Sequence, residues 1–489
     1  MFQCRRILCL ILTLLLLTGC QSRKTSSPAE PASTVTKDTV PTAEPETVPE
    51  ETQPEPVFED YVYRYEDERD LAWEEDVVFL GQLYLGETVV KGHPYLINRD
   101  FVVSDENGRI TTQQFYDPAL RKVFREELLA LIEKIPELTD TQITFELQRI
   151  VALLRDAHSS VSVPYEEEYF PISTEPLFHL GKMDYYTVYL PQEHEQWMCA
   201  QLISINNVPL EEIIEKMSAY ISAENHHWAA YQVTSLHRQN LVSCKAMLQV
   251  IGVMEEDSDT ARFRLKAVDG QTVELELEAL SLTTGEYHAL PVANYTHFAT
   301  ANFSDCYYGA YNYWFSYFEK EKALYLRFYE MADEEEYRLH EFLHDVWEFL
   351  EEKEGTQKLI IDLRYNPGGY GEFTGYLLDF VLTQDLEKTC VLINEGSCSA
   401  AVIFPTLLQK RMEDAVIIGS AAGQPPNFFA DQNSYMLDNH DIACSISFQY
   451  YMCDPDFTGD TLTPDIVVYL SLPDYVEGID TVLEAALNY

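Results

Sequence analysis

Three adjacent side chains that can act as nucleophiles, Ser397, Cys398 and Ser399, stand between an apolar run typical of a strand and an apolar run typical of a helix. A side chain at such a junction projects above the sheet edge, where the free N–H groups of the helix start stabilise negative charge. A reacting serine needs that position, two N–H donors for the oxyanion and a base for its proton. A serine at a helix start can also be an N-cap alone, so this stretch leaves both roles open.

Two further stretches carry residues suited to the same chemistry. Gly368 and Gly369 follow the buried-strand run 358–364, and paired glycines allow a backbone conformation that brings N–H groups close to a ligand. A plain glycine turn is the alternative. His158 follows a predicted helix in the turn 156–159. A histidine near neutral pKa can accept the proton of a serine and return it to a leaving amine.

The elements that must position these residues predict an α/β fold. From residue 322 onward, strand-like runs alternate with helical runs, which implies a sheet covered by helices. Residues 117–156 predict two helices, the second with a capping box formed by Thr139 and Gln142. Pro405 lies inside the helix predicted after Ser399, so we expect that helix to kink or restart there.

Short alternating runs between about residues 166 and 290 predict a small β-rich domain with a helix beginning near Pro209. The phrase "LISINNVPLEEII" resembles the strand–turn–helix of PDZ-like modules. A generic β-rich insert is the alternative.

Residues 320–489 resemble the tail-specific, or C-terminal-processing, serine peptidase family. The resemblance is carried, in order and spacing, by "LIIDLRYNPGG", "VLINEGSCSAAVIF", "AVIIGSAAGQPPNFF" and "LTPDIVVYL". It implies a crotonase/ClpP-like catalytic domain over 291–489. An N-terminal helical subdomain at 61–165 and the β-rich, PDZ-like domain at 166–290 would precede it.

The same resemblance implies roles for individual residues. Ser399 falls at the attacking position, and an N–H group of Gly368 or Gly369 would form the oxyanion hole with that of Ala400. Many family members use a lysine 25 residues beyond the serine, where this chain has Gln424. An amide cannot be a general base.

The glutamine indicates either an inactive member or the histidine-using branch of the family. The turn 156–159 resembles the Asp-x-His-Ser/Thr turn of that branch, so we interpret His158 as the base. Gln424→Ala should then leave turnover within a few-fold of wild type. For the acidic partner of His158 the resemblance points late in the chain, to Asp460, with Asp456 and Asp465 as alternatives.

The N-terminal sequence predicts export and lipidation. Residues 1–19 read as a lipoprotein signal peptide that ends in "LLTGC", with Cys20 as the lipidated residue. An uncleaved anchor helix is the alternative, although the apolar run falls short of the ~20 residues that a span needs. Residues 20–60 predict a disordered tether rich in Pro, Glu and Thr. We therefore expect a bacterial protein that is lipid-anchored at the extracytoplasmic face of the cell membrane.

Composition narrows the partners. The chain has 33 Lys and Arg against 81 Asp and Glu, a formal net charge of −48. Such a surface argues against nucleic acid and against anionic lipid as direct partners. Its cysteines have neither the spacing of a zinc site nor that of a disulfide framework, so we predict no metal and no cofactor.

These features predict a lipid-anchored extracytoplasmic serine endopeptidase that acts on peptides or unfolded polypeptide ends. A catalytically inactive, peptide-binding surface lipoprotein is the second hypothesis, and Gln424 is the residue that favours it. A thiol hydrolase that uses Cys398 is the third.

Overall fold

The structure is a computed structural model that describes residues 58, 61–85, 98–116, 118–162, 168–235, 240–281, 292–294, 312–335 and 337–489. Residues Tyr63–Tyr489 form one compact unit. The predicted signal peptide, Cys20 and, apart from Phe58, the predicted tether lie outside the described residues. In the part that is described, no helix is long and apolar enough to cross a membrane.

The described helices are α1 (Glu68–Tyr84), α2 (Pro118–Lys134), α3 (Asp140–Ala152), α4 (Leu210–Ser218), α5 (His226–Thr234), α6 (Lys245–Val250), α7 (Leu339–Glu352), α8 (Gly371–Leu382), α9 (Ala400–Arg411), α10 (Leu472–Val476) and α11 (Thr481–Asn488). The described strands are β1 (Asn98–Asp105), β2 (Ile110–Tyr116), β3 (Ser160–Val161), β4 (Glu168–Tyr169), β5 (Ser173–His179), β6 (Lys182–Pro191), β7 (Gln201–Ile205), β8 (Val208–Pro209), β9 (Thr260–Lys266), β10 (Thr272–Glu278), β11 (Leu280–Ser281), β12 (Val292–Asn294), β13 (Tyr313–Phe318), β14 (Ala323–Phe328), β15 (Lys358–Asp362), β16 (Lys388–Ile393), β17 (Val416–Gly419), β18 (Asn427–Leu437), β19 (Ile442–Met452) and β20 (Ile466–Val467).

A six-stranded sheet with the order β13-β14-β15-β16-β17-β20 forms the frame of the C-terminal half. Its strands are parallel except for β13, which is antiparallel to β14. On β15, Leu359 and Ile361 pack into a core with residues of α7, α8 and α9. Ile360 packs on the opposite face with residues of α11. This two-residue alternation buries both faces of the strand and confirms the predicted helix-covered sheet.

A second sheet joins distant parts of the chain. Its order is β18-β19-β1-β2, and β3 pairs with β19. Strand β1 runs parallel to β19, with Val103 opposite Tyr450, and Ser160 of β3 lies opposite Ser445. The residues directly after His158 are therefore paired with a strand near the C-terminus.

The region from β5 to β12 contains a third, antiparallel sheet with the main order β10-β9-β7-β6-β12. Along β9 exposed and buried residues alternate, and Ala261, Phe263 and Leu265 face the core. Helix α4 begins directly after Pro209. The predicted β-rich character is confirmed, whereas the PDZ-like architecture stays a prediction.

Local signals placed several helix boundaries correctly. Helices α2 and α3 occupy the predicted positions, and the Thr139 and Gln142 capping box forms with both of its hydrogen bonds. Helix α9 begins at Ala400, directly after Ser399, and continues through Pro405. The helix therefore does not restart at the proline.

Candidate active site

The nucleophile turn, residues 394–399, connects β16 to α9 and gives its first two candidates structural roles. Ser397 is fully buried, its Oγ donates to the Leu363 carbonyl at 2.8 Å, and it accepts the Asn394 N–H at 3.0 Å. Cys398 is buried too, and its Sγ donates to Gln424 Oε1 at 3.0 Å. Both side chains are engaged within the fold.

Ser399 differs from its two neighbours in backbone and side chain. Its φ of 56° and ψ of −123° are unusual for a residue with a side chain, and such strain persists where the surroundings enforce it. It occupies the N-cap position of α9, yet its side chain makes no capping hydrogen bond. The N-cap alternative therefore does not account for this serine.

The glycine turn that follows β15 packs against Ser399. Gly368 has a φ of 102°, and a Cβ there would stand 2.5 Å from Ser399 Cβ and 3.0 Å from the Ala400 nitrogen. The Gly368 N–H donates to Asn366 Oδ1 at 2.8 Å. Since that donor is engaged, Gly369 and Ala400 are the remaining oxyanion donors among the three predicted ones.

A buried ion network fixes the strand end ahead of this turn. Arg364 pairs with Asp362 at 2.6 Å and with Asp480 at 2.7 Å, and Arg327 pairs with Asp362 at 2.6 Å. Burial alone would raise the pKa of Asp362, but the two guanidinium groups hold it down at about 2. Asp480 also caps α11 by accepting two backbone N–H groups, so the network ties the edge of the sheet to the last helix.

The base turn, residues 156–160, carries His158. Asp156 organises it, because its Oδ1 accepts the His158 N–H at 2.9 Å and its Oδ2 accepts Ser159 Oγ at 2.5 Å. From β19, Ser445 Oγ donates to the His158 carbonyl at 2.9 Å. The Phe428 ring lies nearly parallel to the imidazole, with centroids 5.9 Å apart and planes 9° apart.

The surroundings of His158 favour the neutral imidazole. Burial lowers its pKa, while the charges of Asp156 and Asp431 and a hydrogen bond with the Phe429 backbone act in the opposite direction. Within the described part of the chain, Nδ1 is buried and has no hydrogen-bond partner. A neutral imidazole with an unengaged nitrogen is what a general base must offer.

The carboxyl groups beside His158 are Asp156 and Glu224. Ligand-type atoms of these three residues all lie within 4.8 Å of one another, so they are also the described group that could hold a metal ion. Burial and the charge of Asp156 raise the pKa of Glu224 to about 8. Glu224 Oε2 is buried without a hydrogen-bond partner among the described residues.

The carboxylates expected late in the chain lie elsewhere. Asp460 is exposed, its backbone carbonyl accepts Asn225 Nδ2 at 2.9 Å, and its charge acts on His227. Asp465 Oδ2 accepts the Ile417 N–H at 2.8 Å, and Asp456 is exposed. The structure thus does not place Asp460 in the group around His158.

The sequence gives no signal for Glu224 or Asp431. Glu224 lies just before α5, inside the predicted β-rich domain, and no motif distinguishes it from other carboxylates. The neighbouring Asn225 caps α5 through the Trp228 N–H, which marks a helix start but no site. Only the folded chain brings Glu224 to the base turn.

The two turns are connected through other side chains and not by their reacting groups. No hydrogen bond joins Ser399 Oγ to the His158 ring in the described part of the chain, where Nδ1 is without a partner. Such catalytic bonds are often long in a free enzyme and tighten when substrate binds. The fully buried side chain of Gln424 lies between the turns.

The six cysteines in the described part of the chain are buried thiols, and none of them forms a disulfide there. Burial raises the pKa of both Cys444 and Cys453 to about 12. Thiols with such pKa values are unreactive at neutral pH, so these two are packing residues.

No protein-family model and no curated protein matches the chain. Among solved structures, mature CPAF complexed with lactacystin is similar with a TM-score of 0.54 at 12% identity, over 86% of this chain and 98% of that chain. The photosystem II D1 C-terminal processing protease gives a TM-score of 0.38 at 11% identity, over 86% and 97%. An S41 protease from Bacteroides fragilis gives 0.33 at 12% identity, over 68% and 86%.

The likeness to CPAF shows that the chain has this fold, a mixed helix and sheet architecture.

Proposed function

We propose that the chain is a serine peptidase of the histidine-using branch, with Ser399 as the nucleophile and His158 as the general base. The observation that carries the proposal is the setting of Ser399. It precedes α9 with a positive φ and no capping bond, and Gly368 packs against it. A serine held in this way presents its hydroxyl beside the N–H groups of a helix start.

The reaction follows from these positions. Ser399 Oγ forms a bond to the substrate carbonyl carbon while its proton passes to His158, and the carbonyl electron pair moves onto the oxygen. The N–H groups of Gly369 and Ala400 stabilise that oxyanion. The carbon–nitrogen bond then breaks, and the amine leaves with the proton from His158. Water repeats the sequence on the acyl-enzyme and releases a carboxylic acid.

Glu224 takes the place of Asp460 in this proposal as the carboxyl that lies beside the base. Its buried Oε2 has no partner among the described residues, and its carboxyl belongs to the group around His158. With a pKa of about 8 this carboxyl is largely protonated at neutral pH, so it holds the base turn by hydrogen bonding and does not supply a full negative charge to the imidazolium.

The proposed substrate is a peptide or an unfolded polypeptide end, and the proposed location is the extracytoplasmic face of a bacterial membrane. The lipobox-like "LLTGC" and the Pro-rich segment after it support the location. Cys20→Ser should release the protein from membranes without changing the activity of the soluble form. Firm membrane retention of that variant would indicate an uncleaved anchor helix.

Covalent labelling of the full chain with a fluorophosphonate probe tests the chemistry. We expect labelling at Ser399 that Ser399→Ala abolishes and Cys398→Ala preserves. Labelling that follows Cys398 instead would move the nucleophile by one residue. The missing bond between Ser399 Oγ and His158 is what favours the inactive, peptide-binding alternative. Binding of an unstructured peptide without labelling or cleavage would support that alternative.

A further inference from the structure

Hydrogen bonds connect the nucleophile turn to the base turn through two side chains that neither turn contains. The Ser399 N–H donates to Gln424 Oε1 at 2.7 Å. Gln424 Nε2 donates to Glu224 Oε1 at 2.7 Å. Glu224 Oε1 in turn accepts the N–H of Ala157, the residue before His158, at 3.3 Å. The chain of bonds thus runs from the nucleophile residue to the neighbour of the base.

The chemistry of each hydrogen bond explains why residue 424, in the loop after β17, is a glutamine. Its Oε1 accepts from both Ser399 N and Cys398 Sγ, while its Nε2 donates to a carboxyl oxygen. A lysine has three donors and no acceptor. It could not receive the Ser399 N–H, so this fold needs an amide where the other branch of the family has its base.

The surroundings fix the two side chains from both directions. Gln424 is fully buried, and its own carbonyl accepts the Leu462 N–H at 3.0 Å. Asn225, next to Glu224, donates to the carbonyls of Ala422 and Asp460. Because Asn225, next to Glu224, is hydrogen-bonded to the segment around Gln424, the Gln424 amide and the Glu224 carboxyl are held in a single arrangement.

We propose that Gln424 and Glu224 form a positioning pair that holds the nucleophile turn and the base turn in register. The proposal rests on Ser399 and His158 acting as proposed above. It reverses the expectation that Gln424 is dispensable once histidine is the base. Misplacement of reacting groups by about 1 Å can cost a hundredfold in rate, so the pair acts on turnover without touching the substrate.

The kinetic test replaces the amide with an apolar side chain of similar size. Gln424→Met should lower kcat on an unstructured peptide roughly 100-fold and leave KM within about threefold. The rate of fluorophosphonate labelling at Ser399 should fall in parallel. Gln409→Met is the matched control, because Gln409 makes a similar 2.7 Å bond to Asp465 away from the site. Equal kcat values for Gln424→Met and the control would overturn the proposal.

A reciprocal exchange separates positioning from a general loss of structure. Gln424→Glu alone sets two carboxyl groups against each other. Gln424→Glu combined with Glu224→Gln keeps an acceptor for Ser399 and Ala157 and a donor between the pair. We expect the double variant to regain at least about tenfold in labelling rate over Gln424→Glu, since directly bonded residues are not additive. No recovery in a folded double variant would count against the pair.

Urea unfolding tests the hydrogen-bonded link between Gln424 and Glu224 independently of enzymatic activity. Gln424→Met and Glu224→Met should each lower the unfolding midpoint, and the double variant should fall no further than the lower single one. Additive shifts would overturn the link. If wild type neither labels nor cleaves but the shifts are non-additive, the proposed function fails while the link stands.

Discussion

The two turns that meet at the site are held by different parts of the chain. The nucleophile turn is fixed from within the parallel sheet, where Ser397 bonds to Leu363 at the end of the neighbouring strand. The base turn depends on β19, because Ser445 bonds to the His158 carbonyl across 287 residues of sequence. One turn is a product of neighbouring β–α units, and the other exists only when distant segments pair.

The difference predicts two kinds of sensitivity. At the nucleophile turn the backbones approach so closely that added volume is harmful, as the 2.5 Å between Ser399 Cβ and a Cβ built at Gly368 shows. At the base turn, hydrogen bonds to another strand set the position of His158. Added side-chain volume should therefore reduce activity most at the nucleophile turn. Loss of long-range hydrogen bonds should reduce it most at the base turn.

Loss of the base should have the largest effect. His158→Ala should lower kcat/KM by about four to six orders of magnitude, because members of a catalytic unit fail together. Steady-state hydrolysis of an unstructured peptide measures this, with His344→Ala, an exposed histidine of α7, as the control. Activity of His158→Ala within tenfold of wild type would contradict the mechanism and remove the base turn from the site.

Added volume at the nucleophile turn should come next. Gly368→Ala should lower kcat/KM by about 100-fold or more, since the new Cβ would overlap Ser399 and the φ of 102° suits only glycine. Gly375→Ala in α8 is the control, because a Cβ there meets nothing within 4 Å. Similar activity of both variants would show that the close approach is not required.

Loss of one polar contact at the base turn should cost less. Ser159 Oγ accepts the Ser447 N–H of β19 at 3.2 Å and donates to Asp156. Ser159→Ala leaves that buried N–H unpaired, which should cost about 1–3 kcal/mol in the free energy of unfolding and roughly tenfold in kcat/KM. Ser258→Ala, whose hydrogen bonds are exposed, should change neither value in urea unfolding and kinetics.

The smallest effect concerns pH. Since burial lowers the pKa of His158 below its usual 6.5, kcat/KM should rise with pH through one ionisation below that value and stay high above it. The charge of Asp431 raises this pKa, so Asp431→Asn should move the rise to lower pH. Asp438→Asn, an exposed carboxylate beyond the end of β18, should not. A rise at higher pH in Asp431→Asn would contradict the assignment.

The sequence predicts the nucleophile turn better than the base turn, because the first depends on local contacts and the second on contacts between distant segments. The helix-covered sheet, the start of α9 after Ser399 and the capping box at Thr139 depend on local periodicity and short-range hydrogen bonds, and these were predicted correctly. The roles of Ser399 and His158 stay predictions.

The companions of the base turn could not be read from the sequence. The resemblance points to Asp460 by its order in the chain, yet Glu224 lies beside His158 because the start of α5 is hydrogen-bonded to the loop after β17. Such contacts join the base turn to a segment that the sequence pattern predicts to be a separate β-rich domain. No sequence period or motif encodes a pairing of that kind.

The pairing of β3 with β19 also sets the order in which the site can come into being during synthesis. The strand partner of Ser160 is Ser445, so a ribosome that has made His158 must still add close to 300 residues before the turn gains its support. At about 5–20 residues per second this takes roughly 15 to 60 s. A growing chain therefore carries the proposed nucleophile and the proposed base without an assembled site, and we expect the proposed hydrolysis only once the polypeptide is nearly complete.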